Sequence, residues 1–436
     1  MGNKFIQDSV SVLGNRVFII IITFATSILL ARYLGPEGKG LMTALLVYPA
    51  LLVSLAELGI RQSATYLIGK REYSEQDIIS QVLLFLVTSS TIMVFIVAYL
   101  FTVLDNPDFT FYMVLMAIFY IPVKLATSYS QGIFLGREEI NKFNITSRLQ
   151  PMIDLALIVL FVVIFNLSVV GAVLATFVAS LIVALYALRE LTRISSIKLH
   201  FDWIISKQMI SMGIVYAMAL FILNLNYKID VVLLERLTVA SEIGQYSIGV
   251  GIVELIWLLP STLGVVIFSH SSNAKDPAGF SKGMMKLFRV TFVLSIICGL
   301  LLFFASEYII PLVYGAAFAP SVEVLKILLP GVILMTAFKV LNMDLAGKGK
   351  PQVSLIAFMP AVIINIVLNV LWIPLYGANG AALASTISYS LGSLIFLALY
   401  SRILRIPMLE IIRFRASDFD FIQRYVRDLK KQVSWP

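Results

Sequence analysis

One cysteine, Cys298, and two histidines, His200 and His270, are all that 436 residues offer to thiol or imidazole chemistry. A single cysteine excludes an internal disulfide and a cysteine metal cluster. Both histidines fall in segments between apolar runs, and no set of His, Cys and acidic residues has metal-ligand spacing. Charge is scarce as well: Asp, Glu, Lys and Arg make up 13% of the chain, against about 25% in soluble domains. There is no G-x-x-x-x-G-K-[ST] loop to cradle a nucleotide's phosphates. With no catalytic constellation and no long segment for an outward-facing domain, the chain is not expected to be an enzyme or to carry a cofactor. A membrane polymerase or ligase would need both.

What fills the chain instead is apolar: 59% of residues are hydrophobic, an excess with no home in water. Crossing ~30 Å of hydrocarbon takes about 20 apolar residues, and a window of that length finds twelve spans. They cover 8–34, 41–68, 78–104, 109–135, 145–165, 168–190, 208–235, 243–268, 287–306, 320–346, 353–374 and 379–404. The stretch "EYIIPLVYGAAFAP" between the ninth and tenth is apolar but broken by prolines. The first segment is longer than a signal peptide's core and lacks a clear small-residue cleavage site, so it reads as mature sequence. The expected class is an all-α integral membrane protein.

Alternate connections collect the lysines and arginines. Those on the side of the N-terminus hold sixteen, and the tail after the last span, Arg402 to Lys431, holds eight more; the opposite side has only Lys39 and Arg236. The positive-inside rule then puts both termini in the cytoplasm of an inner or plasma membrane. That asymmetry also explains the net charge of +8 by topology and anionic lipid, without nucleic acid. In the tail, Phe419, Ile422, Val426, Leu429 and Val433 follow helical spacing with Arg424, Arg427, Lys430 and Lys431 between them. This suits a helix lying on the cytoplasmic leaflet, the alternative being a partner-binding tail.

The chain also repeats itself. "LLARYLGPEGKG" from Leu29 matches "LLERLTVASEIG" from Leu233 at an offset of 204, while Pro151 matches Pro360 and "GAVLAT" from Gly171 matches "GAALAS" from Gly380 at 209. Small residues recur wherever membrane helices pack, but that does not produce one shared offset. Six spans have been duplicated, and an even number keeps direction, giving two parallel six-helix lobes. The expected divisions are 1–195, 196–406 and a cytoplasmic basic tail, 407–436. Two such lobes suggest alternating access, with the site at their interface near the midplane.

Motifs spread over nearly the whole chain, "LGPEGKGLMTAL", "AELGIRQSATYL", "QGIFLGREEINKFN", "IDVVLLE", "IGQYSIGVGIVELIWLLPSTLGVVIFSHSS", "LAGKGKPQVSL" and "GANGAALASTIS", are more specific than the repeat alone. In them the chain resembles the polysaccharide-transporter branch, which includes the O-antigen repeat-unit flippases, of the multidrug, oligosaccharidyl-lipid and polysaccharide exporter superfamily. The resemblance implies a V-shaped pair of lobes that moves a polyprenyl-diphosphate-linked oligosaccharide from the inner to the outer leaflet, alongside other polysaccharide-assembly membrane proteins. Peptidoglycan-precursor flippases carry two helices after the twelfth; here a charged tail follows, which disfavours that branch. A multidrug or small-metabolite cation antiporter of the same fold is the alternative, because fold alone does not decide function.

Charges inside the spans are the candidate site, since an ion at the bilayer centre costs at least about 2.5–3.5 kcal/mol. Arg16, Arg61, Lys124, Lys228 and Lys339 are expected to bind the diphosphate. Asp154, Asp230 and Glu254 are candidates for a coupling proton or sodium ion. Each has a plainer reading. Arg61 stands four residues after Glu57, the spacing of an intrahelical pair, and Arg32 and Lys326 suit snorkelling at span ends. Lys124 and Lys339 precede glycines matched between the repeats, Gly136 and Gly347, by distances differing by one helical turn. On span 7, Asn224 and Lys228 form one polar row and Asn226 and Asp230 another, so one row can face substrate while the other is buried in its lobe, unless both are structural hydrogen-bonding glue.

Overall fold

The computed structural model describes residues 2–194, 200–258, 260–261, 271, 276–415 and 418, with side chains from Gly14 onward. His270, the expected boundary at 195/196 and the amphipathic stretch 419–433 lie outside the described residues.

Among the described residues the fold is helical throughout, with no strand. Nine stretches of the described residues are long and apolar enough to cross a bilayer, and two are double length: Gly14–Lys70 with 57 residues and Gln352–Leu404 with 53. At 1.5 Å per residue each of these runs to about 80 Å, more than twice a bilayer core, so each is a pair of spans. The breaks fall at Gly35 (φ 65°, ψ −178°) and Gly377 (φ 55°, ψ −132°), left-handed conformations where a Cβ is costly. That makes eleven spans, and the helix Ala240–Val253 opens the twelfth.

The order is therefore as follows. Spans 1 and 2 lie in Gly2–Ala56, span 2 resuming as Ile60–Lys70. Spans 3 and 4 are Glu75–Leu104 and Phe111–Gly136. Span 5 is Ile140–Ile158 with a wider final turn, Val159–Ile164, and span 6 is Ser168–Ile194. Spans 7 and 8 are Trp203–Leu237 and the helix from Ala240. Span 9 is Pro277–Tyr314, span 10 is Ser321–Gly347, and spans 11 and 12 share Gln352–Leu404. Span 9 is longer than its sequence suggested, because Pro311 sits in the last turn without ending the helix. Gly315 (φ 106°) ends it.

The duplication is written in backbone contacts. Gly171 lies against the Phe161 carbonyl and Gly380 against that of Trp372, so each glycine brings the last helix of its lobe onto the preceding one. Between lobes, a Cβ on Gly40 would strike the Ala240 carbonyl and a Cβ on Gly244 would strike that of Pro36. Both partners are displaced by the same 204 residues, so this is a reciprocal contact about a pseudo-twofold axis. Gly40→Val and Gly244→Val are each expected to destabilise the protein by about 1–3 kcal/mol through overpacking, read as a lower thermal midpoint in detergent. Gly283→Ala, where a new Cβ meets open space, should leave the midpoint unchanged.

After span 12 a short helix, Met408–Ile412, turns back under the second lobe. Arg289 of span 9 holds Asp418 through two hydrogen bonds, Nε to Oδ2 at 2.7 Å and Nη2 to Oδ1 at 2.8 Å, and both residues are buried. The base of the tail is thus fixed beside the connections that carry most of the positive charge.

Candidate functional site

A cavity of about 610 Å³ lies between the lobes. Arg16 of span 1 and Arg61 and Gln62 of span 2 line it from the first lobe. Tyr216, Ala219, Leu220 and Leu223 of span 7 face them, with Lys339, Asn342, Met343 and Ala346 of span 10. Both sets follow i, i+3, i+4, i+7, the stripe one helix face presents. Ala346, Pro351 and Ser354 carry the wall to the end of the bundle that bears the connection between spans 10 and 11.

Three of the five expected cations meet here. Arg16 reaches across the lobes, Nη1 donating to the Ser261 carbonyl at 3.1 Å. Lys339 holds its ammonium over two rings, 4.6 Å from Tyr227 and 4.4 Å from Trp257. Arg61 does not pair with Glu57. Leu58 (φ 49°) and Gly59 (φ 68°) interrupt span 2 between them, so four residues no longer make one turn. Glu57 accepts a hydrogen bond from Ser128 instead. Gly132 of span 4 packs on the Arg61 backbone, where a Cβ would come within 2.7 Å of its carbonyl oxygen.

Lys124 and Lys228 do not line the cavity. Lys124 donates to Gln150 Oε1 at 2.7 Å and lies over the Tyr120 ring, inside the first lobe. The repeat explains the difference from Lys339. Gln150 and Asp154 of span 5 correspond, at the offset of 209, to Met359 and Ile363 of span 11. The second lobe offers no acceptor there, and Lys339 turns to the interface. Lys228 is exposed and follows Leu223 by five residues, about 140° around the helix from the cavity stripe.

The acids separate into two kinds. Asp154 accepts from Thr176 at 3.1 Å and sits in the field of Lys124 and Lys39; Glu254 sits in that of Lys339 and Lys228. Asp230 is fully buried, accepting from Ser385 at 2.6 Å, Asn369 at 2.7 Å and Tyr246 at 2.8 Å. Among the described residues no cation lies within 4 Å of its carboxylate. Asn226, one turn before it, is also buried and donates to Ser388 at 2.6 Å. Of the two polar rows on span 7, that of Asn226 and Asp230 is thus enclosed by the second lobe.

Arg32 and Lys326 are not free to snorkel. Arg32 donates to two backbone carbonyls of span 9, and Lys326 pairs with Glu307. Sequence reasoning passed over Gln62, Tyr216 and Asn342 as lining residues. Asn342 could have been found three residues after Lys339, on the same face.

Two pseudo-symmetric helical lobes enclosing a cavity lined by fixed cations are the build of a multi-pass membrane transporter. A sequence profile described as "Polysaccharide biosynthesis protein" matches residues 6–275, and one described as MatE matches 216–371. The chain belongs to the polysaccharide biosynthesis protein family, within the exporter superfamily that the sequence motifs indicated; these families are transporters and flippases.

Among solved structures, the chain is similar to a lipid II flippase MurJ in an inward closed conformation, with TM-score 0.72, 15% identity, and 97% of this chain and 96% of that one covered. It is also similar to an inward-facing multidrug resistance MATE family transporter of the MOP superfamily, with TM-score 0.70, 14% identity, and 89% and 94% covered. An uncharacterized membrane protein of Methanocaldococcus jannaschii is 21% identical over 401 residues, 84% of this chain and 78% of its own length.

Proposed function

We propose that the protein is a flippase that carries a polyprenyl-diphosphate-linked oligosaccharide repeat unit, such as an O-antigen unit, from the inner to the outer leaflet by alternating access. The observation that carries this reading is the convergence of Arg16, Arg61 and Lys339 on one cavity whose lining, among the described residues, contains no carboxylate. Fixed cations can replace the hydration of a diphosphate inside a membrane. Gln62, Asn342 and Tyr216 add amide and phenol groups of the kind that bind sugar hydroxyls. An antiporter of organic cations would need the opposite charge at this place.

Under the positive-inside rule the basic connections and both termini are cytoplasmic, in an inner or plasma membrane, and the cavity reaches the cytoplasmic face through Ala346 and Ser354. The apolar tail stays in lipid while the head group crosses, and an ion gradient resets the lobes, with Asp230 as the principal coupling site. In a host that makes surface polysaccharide, deleting the gene is expected to remove the polymer and to accumulate its lipid-linked unit on the cytoplasmic leaflet. Unchanged surface polymer together with new sensitivity to cationic drugs would sink this reading in favour of the antiporter.

A further inference from the structure

We infer that Arg32 and Arg236 form a twinned latch that holds the lobes together at the end of the bundle opposite the cavity mouth, and that both must release for the cavity to open there.

The two arginines occupy the same place in the duplicated motif, 204 residues apart, at the far end of the first span of each lobe. Each reaches across to the other lobe. Arg32 donates from Nε to the Val313 carbonyl at 2.7 Å and from Nη2 to the Leu312 carbonyl at 2.5 Å, in the last turn of span 9. Arg236 donates from Nη1 to the Leu104 carbonyl at 3.2 Å, at the end of span 3. Spans 3 and 9 are the third helices of their lobes, and Leu104 and Leu312 differ by 208, close to the 204 that separates the arginines.

The chemistry is the same on both sides. The last carbonyls of a helix lack intrahelical donors and carry its partial negative charge, so a guanidinium satisfies them and neutralises it at once. Within eight residues after each arginine come the reciprocal glycine contacts, Gly40 on Ala240 and Gly244 on Pro36. Closure at this end is therefore built from two pairs of equivalent contacts about one axis.

One side has an addition. Glu235, whose side chain is 4% exposed, takes the Tyr48 hydroxyl at 2.7 Å and the Asn106 amide at 2.8 Å from the first lobe, and lies 3.4 Å from Arg236. Its counterpart in the first repeat is Ala31, so the Arg236 side carries the stronger hold. Both arginines are partly exposed, which keeps each contact weak enough to break in a cycle.

The latch rests on the alternating-access part of the proposed function and not on the identity of the cargo. Its test reads no cargo: Leu223→Cys in a Cys298→Ser background, labelled with a membrane-impermeant maleimide from either side of the membrane. With Arg32→Ala and Arg236→Ala together, labelling from the side of the latch is expected to rise roughly tenfold, the population shift that losing charge-assisted hydrogen bonds would give, while labelling from the other side falls. Either single variant should give a smaller rise, larger for Arg32, which loses two bonds across the lobes, than for Arg236, whose loss leaves the Glu235 contacts in place. Labelling of the double variant equal to that of the parent overturns the proposal. Should the alanine pair fail to reach the membrane, Arg32→Gln with Arg236→Gln keeps the methylene stem and a shorter, neutral donor, and must still raise labelling from the latch side; parental labelling there is equally fatal. A shift in labelling from a protein whose loss spares surface polysaccharide would leave the latch standing and the cargo reading refuted.

Discussion

Lys339→Glu is expected to abolish transport at unchanged membrane abundance, and Lys339→Arg to retain much of it. The ammonium stands at the cavity wall with two aromatic faces beneath it and no carboxylate within 4 Å among the described residues. Two unit charges about 4 Å apart interact by about 4 kcal/mol at an effective dielectric of 20, so turning attraction to repulsion costs a diphosphate several orders of magnitude in occupancy. Arginine keeps the charge and stacks on aromatic rings at least as well. Arg61→Glu should behave alike, since the break at Leu58 and Gly59 frees Arg61 from Glu57.

Lys228→Glu is the contrast. Exposed and off the cavity stripe, it should lose function mainly by placing like charge near Glu254, and adding Glu254→Gln should restore activity. Surface polysaccharide measured against membrane protein level distinguishes the cases. A fully active, normally abundant Lys339→Glu would refute the cavity assignment. An inactive, normally abundant Lys228→Glu that Glu254→Gln does not rescue would instead put Lys228 back on the substrate path.

Why Lys339 and not Lys228 was legible only in part. The spans could be read because hydrocarbon demands about 20 apolar residues of each, and the two concealed breaks fell in gaps already visible, at Gly35 and Gly377. The duplication could be read because a glycine that admits another backbone cannot be replaced cheaply: Gly40 and Gly244 preserve the register of two helices whose other residues have diverged. The rotation of each helix could not be read. At 100° per residue, a charge is cavity-lining or lobe-buried according to an anchor outside its own span. For Lys124 that anchor is Gln150; for Lys339 it is the absence of an equivalent. Nor does the sequence mark the turn at Leu58, which converts an apparent Glu57–Arg61 pair into a Glu57 bonded to Ser128 and an Arg61 that lines the cavity.

Asp230→Asn is expected to leave the protein folded and to cut gradient-driven transport by about tenfold to a hundredfold, the range of ordinary coupling energies. Burying a carboxylate costs several kcal/mol. Hydrogen bonds to a charged group return about 1.5–3 kcal/mol each, so the three from Ser385, Asn369 and Tyr246 can offset that cost without neutralising the charge. Nearby amide oxygens, Oδ1 of Asn226 and of Asn369, are buried with no hydrogen-bond partner among the described residues. A carboxylate, hydroxyls and spare amide oxygens are what a hard cation binds, and a proton would serve the carboxylate alone. Asparagine at 230 preserves shape and much of the hydrogen bonding while removing the charge that either ion needs. Asp154 is already in the field of Lys39 and Lys124, so Asp154→Asn should leave the dependence on the gradient intact. Collapsing the sodium and proton gradients separately tells which ion is used. For a sodium site, added sodium should raise the thermal midpoint of the parent protein and not that of Asp230→Asn; for a proton site, sodium should move neither. If Asp230→Asn transports at the parental rate with the same dependence on both gradients, Asp230 is a structural hydrogen-bond acceptor, and the coupling ion binds elsewhere.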